Sequence, residues 1–194
     1  VRIQVPYAAK PRRRGVNLPI ALFPVSLGEA QVLRLRRFSV AALSYVLASA
    51  MMAIGWLFDA VPGSTLVEAM TAFLAVNLTL YALIRSGFNQ RFGDPSLTRI
   101  QIVAAMSILM YVIYHMDHGR DVALFACFIV SLFGIFRLSV RESTVLVLYT
   151  LAAYALVIDL LMHLRPQAIR DVQAEWLSWL GLAGFLPCFI IIGG

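Results

Sequence analysis

Charge is scarce in this chain, and lysine is scarcest: Lys10 stands alone against fifteen arginines among 194 residues. A Walker-type phosphate loop needs Gly-Lys followed by Ser or Thr. Lys10 follows no glycine, so a nucleotide site of that kind is excluded. Charged residues make up 13% of the chain, where a soluble domain carries about a quarter. They gather between long uncharged runs, 61% of residues are hydrophobic, and the mean hydropathy is +0.83. Together these exclude an ordinary soluble domain and indicate an integral membrane protein. An A-x-A cleavage site is also missing: "PRRRG" leads into an apolar patch broken by Pro19 and Pro24, unlike a signal peptide. No basic stripe with interleaved aromatics lies outside the apolar runs. The formal charge of +6 therefore points to lipid headgroups and away from nucleic acid.

What is present is a set of six apolar runs, near 38–58, 66–84, 98–116, 122–140, 143–163 and 175–194. Each is long enough to approach the about 20 residues that cross a bilayer core at about 1.5 Å per residue. Trp176 and Trp179 suit an interfacial aromatic belt. Thirteen of the sixteen Lys and Arg residues fall on one side of these runs: Arg2, Lys10, Arg12, Arg13, Arg14, Arg34, Arg36, Arg37, Arg85, Arg91, Arg99, Arg137 and Arg141. Only Arg120, Arg165 and Arg170 fall on the other. The positive-inside rule then predicts an all-α, integral membrane bundle of six transmembrane helices with both termini cytoplasmic. The expected organisation is a basic cytoplasmic arm over 1–37 and a transmembrane domain over 38–194. "SLGEAQVLRLRRF" (26–38) predicts a short amphipathic helix on the membrane surface, opened by a Ser26/Glu29 capping box.

The stretch "RSGFNQRFGDPSLTRIQ" (85–101) interrupts the second and third runs. Arg85 suits a helix C-terminus, and Gly87 the left-handed residue beyond it. Asp94 is expected as N-cap of the next helix, with Pro95 at its first position. Asn89, Gln90, Arg91 and Phe92 exceed what a turn needs. With Arg85, Asp94 and Arg137, Asn89 and Arg91 are candidates for coupling to lipid phosphates or to an attached cytoplasmic domain.

The block "NLTLYALIRSGFNQRFGDPSLTRIQ" (77–101) and a second, "LFGIFRLSVRE" (132–142), strongly resemble the N-terminal membrane region of bacterial diguanylate cyclases, the GGDEF proteins. Asn77, Tyr81, Arg85, Gly87, Asn89, Arg91, Phe92, the 94–98 run and Gln101 fit that pattern. So do Gly134, Phe136, Arg137 and Leu138, and the likeness covers roughly residues 34–194. The resemblance implies a sensory or anchoring domain of the bacterial inner membrane. It further implies a homodimer and a cytoplasmic GGDEF domain after residue 194 that condenses two GTP, with Mg, into cyclic di-GMP. The G-G-D/E-E-F signature does not occur here, and Gly193 and Gly194 lie within the sixth run, so this segment holds no catalytic residues and no cofactor of its own.

Ionisable residues at membrane depth are functional candidates by default. His115, His118 and His163 all fall at the predicted outer edge, and Asp159 precedes His163 by one helical turn. These four could form a His/Asp metal site, a periplasmic pH or small-ligand sensor, or ordinary interfacial polar groups. The H-x-x-H spacing is too weak a signature to assign a metal. Asn77 and Gln101 suit interhelical hydrogen bonds, Arg137 can snorkel to headgroups, and Ser44, Ala48 and Gly55 form a small-residue stripe. Pro187 inside the sixth run frees the carbonyl of Ala183 and is a candidate hinge. Cys127 and Cys188 differ in depth by about 12 Å, too far for a disulfide, and read as buried thiols. Two other classes stay open: a membrane domain with an adenylate cyclase or histidine kinase output, or a small stand-alone transporter. Against the transporter stand the lack of mid-membrane charge pairs and of an inverted repeat.

Overall fold

The computed structural model describes residues 29–135 and 138–193, and these are helical with no strand among them. Six helices carry the fold: α1 (Glu29–Leu57), α2 (Gly63–Arg85), α3 (Thr98–His115), α4 (Arg120–Ile135), α5 (Val140–Leu164) and α6 (Val172–Gly193). Ring contacts between Phe38 and Tyr81 and between Tyr45 and Phe73 make α1 and α2 antiparallel. Contacts of Arg99 with Glu142 and Ser107 with Tyr149 set α3 parallel to α5, and those of Tyr154 with Glu175 and of Trp179 with the Leu151 carbonyl set α5 antiparallel to α6. The result is an up-and-down bundle. One end, here the basic end, holds the starts of α1, α3 and α5; the far end holds the starts of α2, α4 and α6.

Short connections force this alternation. The link between α4 and α5 is closed by a complete capping box: the Ser139 side chain accepts the Glu142 N–H, and the Glu142 carboxylate accepts the Ser139 N–H. The main core joins α3, α4, α5 and α6 around Met106, Ile113, Cys127, Tyr154, Ile158 and Leu186. A second cluster, built on Tyr45, Ala69, Phe73 and Val112, seats α1 and α2 against α3. Gly55 lets the end of α1 close on Val61, since a Cβ there would lie 3.0 Å from the valine methyl.

Four stretches among the described residues are long and apolar enough to cross a membrane: 30–57, Gly63–Arg85, Thr98–His115 and Val140–Leu164. The expectation of six spans is met to that extent. The α4 helix, at 16 residues, is about 24 Å long and falls short of the ~30 Å hydrocarbon core. Large apolar side chains face outward around the bundle. Leu43, Leu47, Leu57, Phe58, Val122, Phe125, Leu148 and Phe185 are each more than 60% exposed, a surface that suits lipid and not water.

The chain departs from the sequence expectations in two further places. The predicted surface helix is not separate, because α1 runs unbroken from Glu29 through Phe38 to Leu57 and buries Leu35 and Phe38. Its Ser26 cap, Arg137 and the rest of the 1–28 arm lie outside the described residues. Cys127 is buried as expected, but Cys188 is exposed on α6; both thiols are free.

Candidate functional site

The connection between α2 and α3 is a built structure. Arg85 closes α2, and its guanidinium donates to the Tyr81 hydroxyl at 3.2 Å. Gly87 takes the left-handed conformation (φ 77°) expected past a helix end, and a 3-10 turn follows over Phe88–Arg91. Asn89 on that turn has no exposed surface. Its amide nitrogen donates to the Pro95 carbonyl at 2.5 Å, and its oxygen accepts from the Gln31 side chain at 2.7 Å. Gln31 on α1 also donates to the Ile84 carbonyl at the end of α2, and Arg34 donates to the Gln31 oxygen at 2.9 Å. One buried amide pair therefore ties together the start of α1, the end of α2 and the entry to α3. Burial alters the reading of Asn89 as a contact residue: it faces inward and cannot touch a partner.

Entry to α3 also differs from expectation. The cap residue is Leu97, in the left-handed region at φ 55°, and Pro95 lies outside the helix. Asp94 still caps, from further upstream: its carboxylate accepts the N–H of Ser96 at 3.0 Å and of Arg99 at 3.1 Å. A left-handed conformation costs a bulky residue about 1–2 kcal/mol. Leu97 offsets it by burying its side chain, 1% exposed, among Leu35, Phe38, Leu80 and Ile84. Outward on this frame are Arg85, Phe88, Gln90, Arg91 and Phe92, with Ser86 and Gly93. Arg91 stacks over Phe88 at 5.0 Å, and Phe88 meets Phe92 edge-on at 5.8 Å.

At the far end, the sequence-predicted sensing residues are dispersed. His115 sits against Tyr111 and Tyr114, with Nδ1 2.9 Å from the Tyr111 carbonyl. Among the described residues His118 reaches the Phe58 carbonyl, at 3.5 Å. Asp159 and His163 meet at 3.3 Å on the exposed side of α5. No group of three His, Cys, Asp or Glu side chains that could hold a metal occurs among the described residues.

Sequence reading missed the strongest polar cluster. Arg120, 6% exposed, pairs with Glu175 at 2.6 Å and donates to the carbonyls of Met116 and Ala168 at 2.5 and 2.9 Å. The other Glu175 oxygen accepts from Tyr154 at 2.7 Å. The network locks α3, α4, α5 and α6 together at their far ends. It lies at helix starts, not at mid-depth, so it does not supply the charge pair a transport path would need. Opposite charges at the starts of two apolar runs were the available signal. Glu68, which accepts from the Tyr111 hydroxyl across α2 and α3, was likewise visible as a lone acid in an apolar run.

Pro187 lies within α6, as read from sequence. No protein-family model, curated protein or solved structure matches the chain.

Proposed function

We propose that this chain is the membrane domain of a bacterial signalling protein. In this reading six helices cross the inner membrane, the short α4 by local thinning of the bilayer, with both termini cytoplasmic, and the domain senses or anchors. It governs a diguanylate cyclase attached beyond Gly194, which makes cyclic di-GMP from two GTP with Mg. The arginine asymmetry supports the orientation, placing the basic end in the cytoplasm.

The observation that carries the reading is the α2–α3 connection. A plain turn needs only a helix stop and a helix start. This one adds a fully buried asparagine, a strained leucine and a doubly engaged aspartate, and holds Arg85, Arg91 and Phe92 outward on a rigid frame. Basic and aromatic groups displayed beside a helix end suit contact with a following domain. The residues that build the frame are also those that carry the resemblance to the GGDEF proteins. The exposed His118, His163 and Asp159 and the partly buried His115 at the far end, on the periplasmic side in this orientation, are the groups through which a stimulus would enter. A change there would bias the geometry of a homodimer through α6.

The test is to read the coding sequence past residue 194 and to assay cyclic di-GMP from the full-length protein. A GGDEF domain, with output altered by joint replacement of His115, His118, Asp159 and His163, supports sensing. A GGDEF domain with output unchanged by those replacements leaves anchoring as the role. An adenylate cyclase or histidine kinase domain there, or a stop codon, sinks the cyclase reading.

A further inference from the structure

At the basic end, an open cavity of about 490 Å³ lies between α1 and the entries to α3 and α5. Its polar walls come from Arg37, Asp94, Ser96, Thr98, Arg99 and Glu142. By formal charge the lining is balanced, two arginines against two carboxylates. By hydrogen-bonding capacity it is not.

Both carboxylates are engaged from within, each oxygen by one donor. The two oxygens of Asp94 accept the N–H groups of Ser96 and Arg99 at 3.0 and 3.1 Å. Those of Glu142 accept the Ser139 N–H at 2.9 Å and the Arg99 guanidinium at 3.0 Å. The donors are largely unspent. Arg37 is exposed and has no hydrogen-bond or ion-pair partner among the described residues. Arg99 is half exposed and commits one guanidinium nitrogen to Glu142. The hydroxyls of Ser96 and Thr98 have no partner among the described residues. The unspent N–H and O–H donors outnumber the lone pairs that the two carboxylates have left, and such a lining selects an acceptor-rich anion. Two guanidinium groups and two hydroxyls suit the several oxygens of a phosphate better than the two of a carboxylate. The exposed Arg85, Arg91 and Arg141 at the same end of the bundle add to the positive field.

We propose that this cavity binds a phosphate group, presented by a phospholipid headgroup or by a soluble phosphate ester. The inference rests on the cavity walls alone and not on the signalling reading.

The experiment uses the full chain in lauryl maltoside micelles, titrated with dioleoyl phosphatidic acid or with glycerol 3-phosphate, with binding followed by thermal shift. Saturable binding is expected, weakened at least tenfold by Arg37→Gln and by Thr98→Val, but by no more than about twofold by Arg85→Gln, which lies outside the cavity and acts only through the general field. Arg37 is exposed and has no partner among the described residues, so its replacement should leave the packing of the described helices intact. Saturation by the lipid alone identifies a headgroup site, and saturation by both ligands a site for free phosphate. Absence of saturation by either ligand, or equal affinity in all three variants, overturns the proposal.

Discussion

Gln31 and Asn89, 58 positions apart in the chain, share a 2.7 Å hydrogen bond in a site closed to solvent. Through it the first turn of α1 reads the position of the loop that joins α2 to α3. Every polar atom involved is matched: the Asn89 amide by Pro95, the Gln31 amide by Ile84 and Asn89, the Gln31 oxygen by Arg34. A fully satisfied buried network of this kind specifies one arrangement of the backbone, because any displaced member leaves a buried group unpaired.

Replacing Asn89 tests that statement. Asn89→Ala leaves the Pro95 carbonyl and one Gln31 N–H without partners, at about 1–3 kcal/mol for each buried group. Asn89→Asp keeps the size and the acceptor but sets a carboxylate oxygen against the Pro95 carbonyl, so it should destabilise at least as much as alanine. Thermal unfolding followed by circular dichroism in detergent measures both. An aspartate variant as stable as the parent would show that the amide nitrogen contributes nothing.

Leu97 permits a sharper comparison. In an ordinary helical position glycine is about 1 kcal/mol worse than alanine. At φ 55° the order should reverse, because glycine accepts the left-handed region without strain. Both Leu97→Ala and Leu97→Gly lose the side chain packed on Leu35 and Ile84, about 2–5 kcal/mol. Leu97→Gly is expected to unfold at the same temperature as Leu97→Ala or higher. A clearly lower midpoint for glycine would mean that the backbone at this position carries no strain.

The pair Arg120 and Glu175 sets a different energetic problem. Two buried charges repay their desolvation only when paired, so removal of one partner should cost about 3–5 kcal/mol. Arg120→Met alone should therefore destabilise strongly, and so should Glu175→Leu alone. The double variant, which buries no charge, should recover much of the loss, although Tyr154 and the Met116 and Ala168 carbonyls lose their partners. A double-mutant cycle on unfolding midpoints measures the coupling. Strict additivity would show that the ion pair is not an energetic unit.

The elements that could be read from sequence are those with a local cause. Apolar runs located all six helices, although α1 starts nine residues before the predicted run and α4 ends five residues short of it, and Gly87 marked the end of α2 by its conformational freedom alone. Asp94 was recognisable as a cap, but its displacement by three residues was not. Leu97 accepts a left-handed backbone only because a pocket formed by α1 and α2 receives its side chain. Asn89 looked like a surface residue for a similar reason: its partner Gln31 is remote in sequence and lies in a segment that resembled a surface helix. Arg120 and Glu175 resembled ordinary loop charges, since burial depends on how α4 and α6 pack side by side. The histidines illustrate the converse. Nearness to the same predicted membrane edge suggested a cluster, and the packing of α3 and α5 turns them to separate partners.

Pro187 lends itself to a measurement that needs no knowledge of any output. Proline cannot donate to the carbonyl of Ala183, and its ring crowds that carbonyl, which favours a bend in α6 at this point. Gly184 has open space around it and offers no packing that would oppose the bend. Leu177 and Ile191 flank the proline on exposed positions. Spin labels there, with Cys127 and Cys188 replaced by alanine, are separated along a straight helix by about 21 Å of rise. In Pro187→Ala the restored hydrogen bond should lengthen and narrow the distance distribution read by double electron–electron resonance. Identical distributions in parent and variant would show that neighbouring helices, not the proline, fix the course of α6, and the hinge would have no physical basis.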